Sequence, residues 1–297
     1  MSHREEVREL RKQYKRRSGF QEVWHRLTKN VGAMVGLGII IAFILIALTA
    51  DLWIDYDTQV IAQNMAEAKQ WPSAAHIMGT DRFGRDIFYR LMYGSRFSLS
   101  VGFVAVMISC IVGIPLGALA GYYGGNVDNV ILRAADIFSS IPGLLMGIVL
   151  VTAFGANLFS LMLAVGLSSV PGFTVGTRTA VFTVRNTEYI ESAQAIGMSM
   201  PKIIFGQVLP NCLSYIIIRI SMRIGGAIIA ASSLSFLGLG VPAPAPEWGS
   251  MLSSGRTFIR GYSYMTMFPG LAIMIVVIAY NMLGDGIRDA MDPKLKK

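Results

Sequence analysis

The 297-residue sequence predicts an all-α, polytopic membrane protein with six transmembrane helices. Three observations lead there. Hydrophobic residues make up 53% of the chain and charged residues only 15%, too apolar a mixture for a soluble domain of this length. Apolar stretches at 31–48, 99–120, 130–154, 158–175, 213–239 and 265–283 approach or exceed the ~20 residues that cross a bilayer. The net charge of +8 gathers at connections that the positive-inside rule assigns to one side, and no aromatic-interleaved basic patch points to nucleic acid instead.

Residues 1–30 form a basic arm with Arg4, Arg8, Arg11, Lys12, Lys15, Arg16, Arg17, Arg26 and Lys29. Such an arm is expected on the cytoplasmic side, against anionic lipid headgroups. Residues 31–98 comprise the uncharged first span and an outer loop of mixed charge, in which Asp51, Asp55 and Asp57 oppose Lys69 and Arg82. The main transmembrane domain is expected over 99–284. Its third span carries Pro142-Gly143 near the middle, which predicts a kink or break because proline removes a backbone donor. Arg133 and Asp136, three apart at the start of that span, are expected to pair. Residues 155–157 read as a tight outer turn, and 241–262 as an outer loop with prolines at 242, 244 and 246. Arg178, Arg185 and Lys202 place the loop 186–210 inside. The tail, 285–297, is also expected inside, with Asp285, Arg288 and Asp289 spaced to pair along a helix. Both termini are therefore expected in the cytoplasm of an inner-membrane protein. Cys110 and Cys212 read as small buried residues, since neither a pairing pattern nor a metal-ligand spacing surrounds them.

The loop 186–210 is a polar, helix-forming island between two apolar spans. Asn186 or Thr187 can cap a helix whose first turn holds Glu188 and Glu191, where the helix dipole favours acids. Ile190, Ala193 and Ile196 fall at helical spacing and predict one apolar side. Gly197 suits a left-handed helix end. Ser199 and Pro201 start a second helix, and Pro210 predicts a second corner before the next span.

Glu191-Ser192-Ala193, Gly197 and Leu209-Pro210 resemble the EAA loop of ABC-importer permeases, with Ser192 and Gln207 departing mildly from its pattern. Residues 76–99, with Gly79-Thr80-Asp81 and Gly84-Arg85-Asp86, are similar to the C-type permease of dipeptide, oligopeptide and nickel importers. So are 235–241, the Trp248-Gly249-Ser250 stretch and 281–289. The resemblance covers about residues 76–293 and implies the type I ABC importer permease fold. It also implies a second homologous permease, two ATPase subunits and an extracytoplasmic binding protein as partners. Glu188, Glu191, Ala193, Gly197, Leu209 and Pro210 would then form the coupling helix that meets the ATPase. Asp81, Arg85, Asp86 and Trp248 would shape an outer gate or a dock for the binding protein, or simply anchor the loop. Peptide is the expected cargo, with nickel or another small solute as the alternative.

Arg219 and Arg223 are four apart, hence on one helix face inside the fifth span. A charge there is costly and usually faces a polar path or a partner. They either line the path and favour an anionic group, or snorkel to the cytoplasmic headgroups. The phosphate-loop pattern Gly-x-x-x-x-Gly-Lys-[Ser/Thr] is absent, so no cofactor is expected on this chain, and ATP with magnesium belongs to partner subunits. The spans hold almost no carboxylates, which argues against an ion-coupled secondary transporter.

Overall fold

The computed structural model describes residues 19–291, so most of the basic arm and the last six tail residues lie outside it. In chain order the helices are α1 (Gly19–Leu27), α2 (Val31–Trp53), α3 (Ile87–Tyr123), α4 (Gly125–Ser140) and α5 (Gly143–Phe154). They continue as α6 (Leu158–Val184), α7 (Glu188–Ala195), α8 (Met200–Ile203), α9 (Leu209–Leu234), α10 (Trp248–Gly255) and α11 (Tyr264–Met291). Five helical runs are long and apolar enough to cross a membrane. The sixth expected span is the pair α4 and α5, bent by 85°. The cause is Pro142, which caps α5 and holds Ile141 in extended backbone (φ −87°, ψ 120°).

Several helices outrun their predicted limits. α3 starts at Ile87 rather than 99 because Asp86 caps it, accepting from the Phe88 N–H at 2.8 Å. α6 continues to Val184 rather than 175. The expected corner at Pro210 does not exist: the helical run that starts at Met200 passes through it and first leaves helical backbone at Gly238 (φ +88°). A π-turn at Ile204–Val208 precedes the proline, and the Leu209 N–H donates five residues back to the Ile204 carbonyl. This local widening lets a helix carry a ring that lacks a donor. At 1.5 Å per residue the run spans about 60 Å.

Without a hydrophobic drive between helices in lipid, close backbone approach must hold the bundle. α3 and α6 meet along Gly113, Gly117 and Gly121, one every fourth residue. A Cβ at Gly117 would come within 2.3 Å of the Thr174 carbonyl, and one at Gly121 within 2.7 Å of the Arg178 carbonyl. Ser109 donates across the same seam to the Gly166 carbonyl at 2.7 Å. α2 packs on α11, where a Cβ at Gly36 would lie 2.6 Å from the Ala279 carbonyl. One core fills the bundle and includes Leu161, Ile228, Val276 and Trp248; a second, smaller core lies under residues 186–210.

Two expected ion pairs are absent among the described residues. Arg133 and Asp136 point outward unpaired, and Asp128 instead pairs with Arg178 of α6 at 2.5 Å. Asp285, Arg288 and Asp289 likewise form no ion pair with one another. Cys110 and Cys212 are buried and free.

Candidate functional site

The loop 186–210 folds as a helical hairpin. Thr187 precedes α7, and its carbonyl accepts from Ile190 and Glu191 N–H groups; its hydroxyl donates to Val184 rather than capping. α7 ends in a Schellman turn. Gly197 sits at φ +75°, its N–H donates to Gln194, and the Met198 N–H reaches the Ala193 carbonyl at 3.1 Å. Ser199 and Pro201 then open α8 as expected. Ile190 and Ala193 turn inward onto Ile203, Ile204 and Val208, and the cluster continues to Tyr122 of α3 and Val181 of α6. Ile196 departs from the expected apolar side. It lies past the helix end and is 77% exposed; Tyr189, Met200 and Phe205 of the same loop are exposed too. Glu188 and Glu191 are exposed and form no ion pair among the described residues. Leu209 and Pro210 sit in the helical run itself.

Two polar contacts fasten the hairpin to the bundle, and sequence reasoning missed both. Gln194 donates to the Tyr122 hydroxyl at 2.9 Å. Arg185 donates to the Gly121 carbonyl at 3.0 Å, satisfying the end of α3.

At the opposite end, residues 54–86 and 240–262 build a rim. Asp81 accepts from Arg85 at 2.6 Å and from the Phe83 N–H at 2.8 Å. Asp86 caps α3 and binds His76 Nδ1 at 2.8 Å. Trp248 is 0% exposed; its indole donates to the Leu91 carbonyl at 2.9 Å, and its backbone N–H donates to Ser98. Buried Arg90 ties the loop halves together, donating to the Val60 carbonyl at 2.7 Å and the Pro244 carbonyl at 3.2 Å. Trp248 therefore offers a partner no side-chain surface, and Asp81, Arg85 and Asp86 are occupied by internal bonds. Exposed cations remain here: Arg82, over the Phe83 ring, and Arg256, over the Phe236 ring, both line a cleft of about 360 Å³.

Arg219 and Arg223 share a face of α9 but not an environment. Arg219 donates to the Tyr215 hydroxyl at 2.9 Å and to the Gly172 carbonyl of α6 at 2.8 Å. Gly176 makes the slot: a Cβ there would lie 2.9 Å from the Arg219 guanidinium carbon. Arg223 has no hydrogen bond or ion pair among the described residues and lines a cleft of about 240 Å³ between α5, α6 and α9.

Against known proteins, residues 113–297 match the family model described as binding-protein-dependent transport system inner membrane component. Residues 18–72 match the N-terminal transmembrane domain of oligopeptide transport permease C. The chain belongs to this ABC importer permease family. Among its relatives is the dipeptide transport system permease protein DppC of Alkalihalophilus pseudofirmus, 45% identical over 96% of this chain and 93% of the relative. Another is the glutathione transport system permease protein GsiD of Pectobacterium atrosepticum, 40% identical over 94% of this chain and 93% of that one. The DppC of Haemophilus influenzae is 38% identical over 93% and 95%. A permease chain of the MetNI methionine ABC transporter, solved in inward-facing conformations, superposes with a TM-score of 0.58 at 17% identity, covering 69% of this chain and 98% of that one. The fold is thus that of a type I ABC importer permease.

Within this permease the glycine seam is the largest feature that sequence reasoning passed over. Its signal was present as Gly113-x-x-x-Gly117-x-x-x-Gly121, the small-residue spacing of close helix pairs. Gln194 and Arg185 carried no such signal, because their partners lie far away in sequence.

Proposed function

We propose that this permease carries peptides inward, with the hairpin 186–210 as its contact to an ATPase subunit. On this reading the hairpin and both termini face the cytoplasm, where the basic residues are concentrated. A second permease completes the path. Two ATPases bind ATP and magnesium, and an extracytoplasmic binding protein delivers cargo. Peptide is favoured over nickel because the similar relatives are named for dipeptide, di/tripeptide and glutathione transport.

The observation that carries the coupling role is the hairpin's build. Exposed apolar side chains of the hairpin, Ile196, Tyr189, Met200 and Phe205, stand on an element whose buried core continues into α3, α6 and α9. Exposed apolar side chains on such an element suit a partner's groove. A push on the tip reaches α9 through one unbroken helix, and reaches α3 through Gln194 and Arg185. Glu188 and Glu191, being unpaired, are available for polar contacts to that partner. ATP-driven movement of the hairpin would swing the spans between inward- and outward-facing forms.

Purification from membranes in mild detergent tests the assembly. Co-purifying ATPase chains and a second permease are expected, and the reconstituted complex with its binding protein should import dipeptides in preference to nickel. Solute movement by the isolated chain without nucleotide would refute this reading.

A further inference from the structure

We propose that Arg223 is the carboxylate contact of the translocation path, seating an anionic end of the cargo in the cleft between α5, α6 and α9. This rests on the transport reading above and adds where the cargo is held. Arg223 lies ten residues beyond Leu213, the apolar start of its span. At 1.5 Å per residue that is about 15 Å, half of a hydrocarbon core of about 30 Å. At that depth the cost of a charge is greatest, and such residues face a polar cavity or a partner. The neighbouring Arg219 has its partners, Tyr215 and Gly172; Arg223 has none among the described residues.

The cleft suits an anion. No carboxylate lines it. Its α9 wall is built mostly of small side chains, with Gly226, Ala227, Ala230 and Ser233 following Arg223 and Leu234 closing it. Ser169 contributes a hydroxyl with no partner among the described residues, whereas Ser168 donates to Ala164 and Gly143 carbonyls and Ser233 to one of its own helix. The first turn of α5, at Gly143 and Leu144, opens on the same space without a side-chain cap, which adds partial positive charge. Arg219, held in its slot, adds a fixed positive charge nearby. A guanidinium left without a partner is matched by a planar carboxylate, which can accept two parallel hydrogen bonds.

Two arms in the complete importer, reconstituted in proteoliposomes with its binding protein, test the proposal. In the first, the Arg223→Cys variant is treated with a water-soluble thiol reagent. The native Cys110 and Cys212 are buried and should stay silent. Labelling is expected, and a transported dipeptide with a free C-terminus should slow it. In the second, Arg223→Gln should lower dipeptide uptake about tenfold, the lower range for losing a charge-assisted hydrogen bond. Binding-protein affinity should not change, and Arg223→Lys, which keeps the charge but not the two parallel donors, should recover only part of the rate. Wild-type uptake in Arg223→Gln, or no labelling of Arg223→Cys, would overturn the proposal while leaving peptide transport intact. Absence of peptide uptake by the wild type would instead refute the peptide reading, and the labelling arm would still decide whether position 223 faces water.

Discussion

At the rim, Asp81, Arg85, Asp86, His76 and Arg90 are tied by ion pairs and backbone bonds, and Trp248 is locked beneath them. At the hairpin, Glu188 and Glu191 stand unpaired, and a small apolar core with two polar bonds holds the whole element. The rim is over-determined and resists local change. The hairpin has its own buried core but leaves Glu188 and Glu191 exposed and without an ion pair among the described residues, as the proposed ATPase contact requires. Conformational change should therefore enter at the hairpin and travel as the motion of whole helices, with the rim joining α3 to α10 and α11 as one body.

If that contrast is right, rim substitutions should cost stability and hairpin-tip substitutions should cost function. The largest effect is expected for Trp248→Ala, which empties a fully buried site and should cost about 3–5 kcal/mol, read as a lower unfolding temperature in detergent. Next comes Arg90→Ala, which strands the Val60 and Pro244 carbonyls at about 1–3 kcal/mol in the same assay. Gly176→Ala should follow, because its Cβ pushes aside the Tyr215 hydroxyl and the Arg219 guanidinium; both are ends of flexible side chains, so the cost is about 1 kcal/mol. The smallest is Ile196→Ser, expected within about 0.5 kcal/mol of wild type because the side chain is exposed. Uptake by that variant should nonetheless fall. A stable rim after Trp248→Ala, or an Ile196→Ser protein that unfolds early, would reverse the contrast.

Features set by neighbours in the chain were legible before any coordinates. Gly197 ends α7 in left-handed backbone, Pro201 opens α8, and Pro142 breaks the third span, because each rests on a local backbone constraint. Pro210 misled, since a π-turn just before it absorbs the missing donor and turns an expected corner into a continuous rod. The charge pairs also misled. Arg133 has Asp136 at helical spacing, but Asp128 finds Arg178 across the bundle, and spacing along one helix says nothing of such a choice. The different surroundings of Arg219 and Arg223 were hidden for the same reason: Gly172 and Gly176, which receive Arg219, lie on another helix.

On the proposed function, a hairpin bent at Gly197 transmits the work of a separate motor into the spans. Gly197 has open space around it, so substitution there acts through backbone conformation alone. Left-handed backbone costs an ordinary residue about 1–2 kcal/mol, more for a β-branched one, whereas asparagine tolerates it. The decisive measurement is ATP hydrolysis and peptide uptake, side by side, in importers carrying Gly197→Val or Gly197→Asn. The expected result is continued hydrolysis with uptake lost in the valine variant, and both retained in the asparagine variant. A valine variant that imports as much peptide per ATP as the wild type would contradict the account.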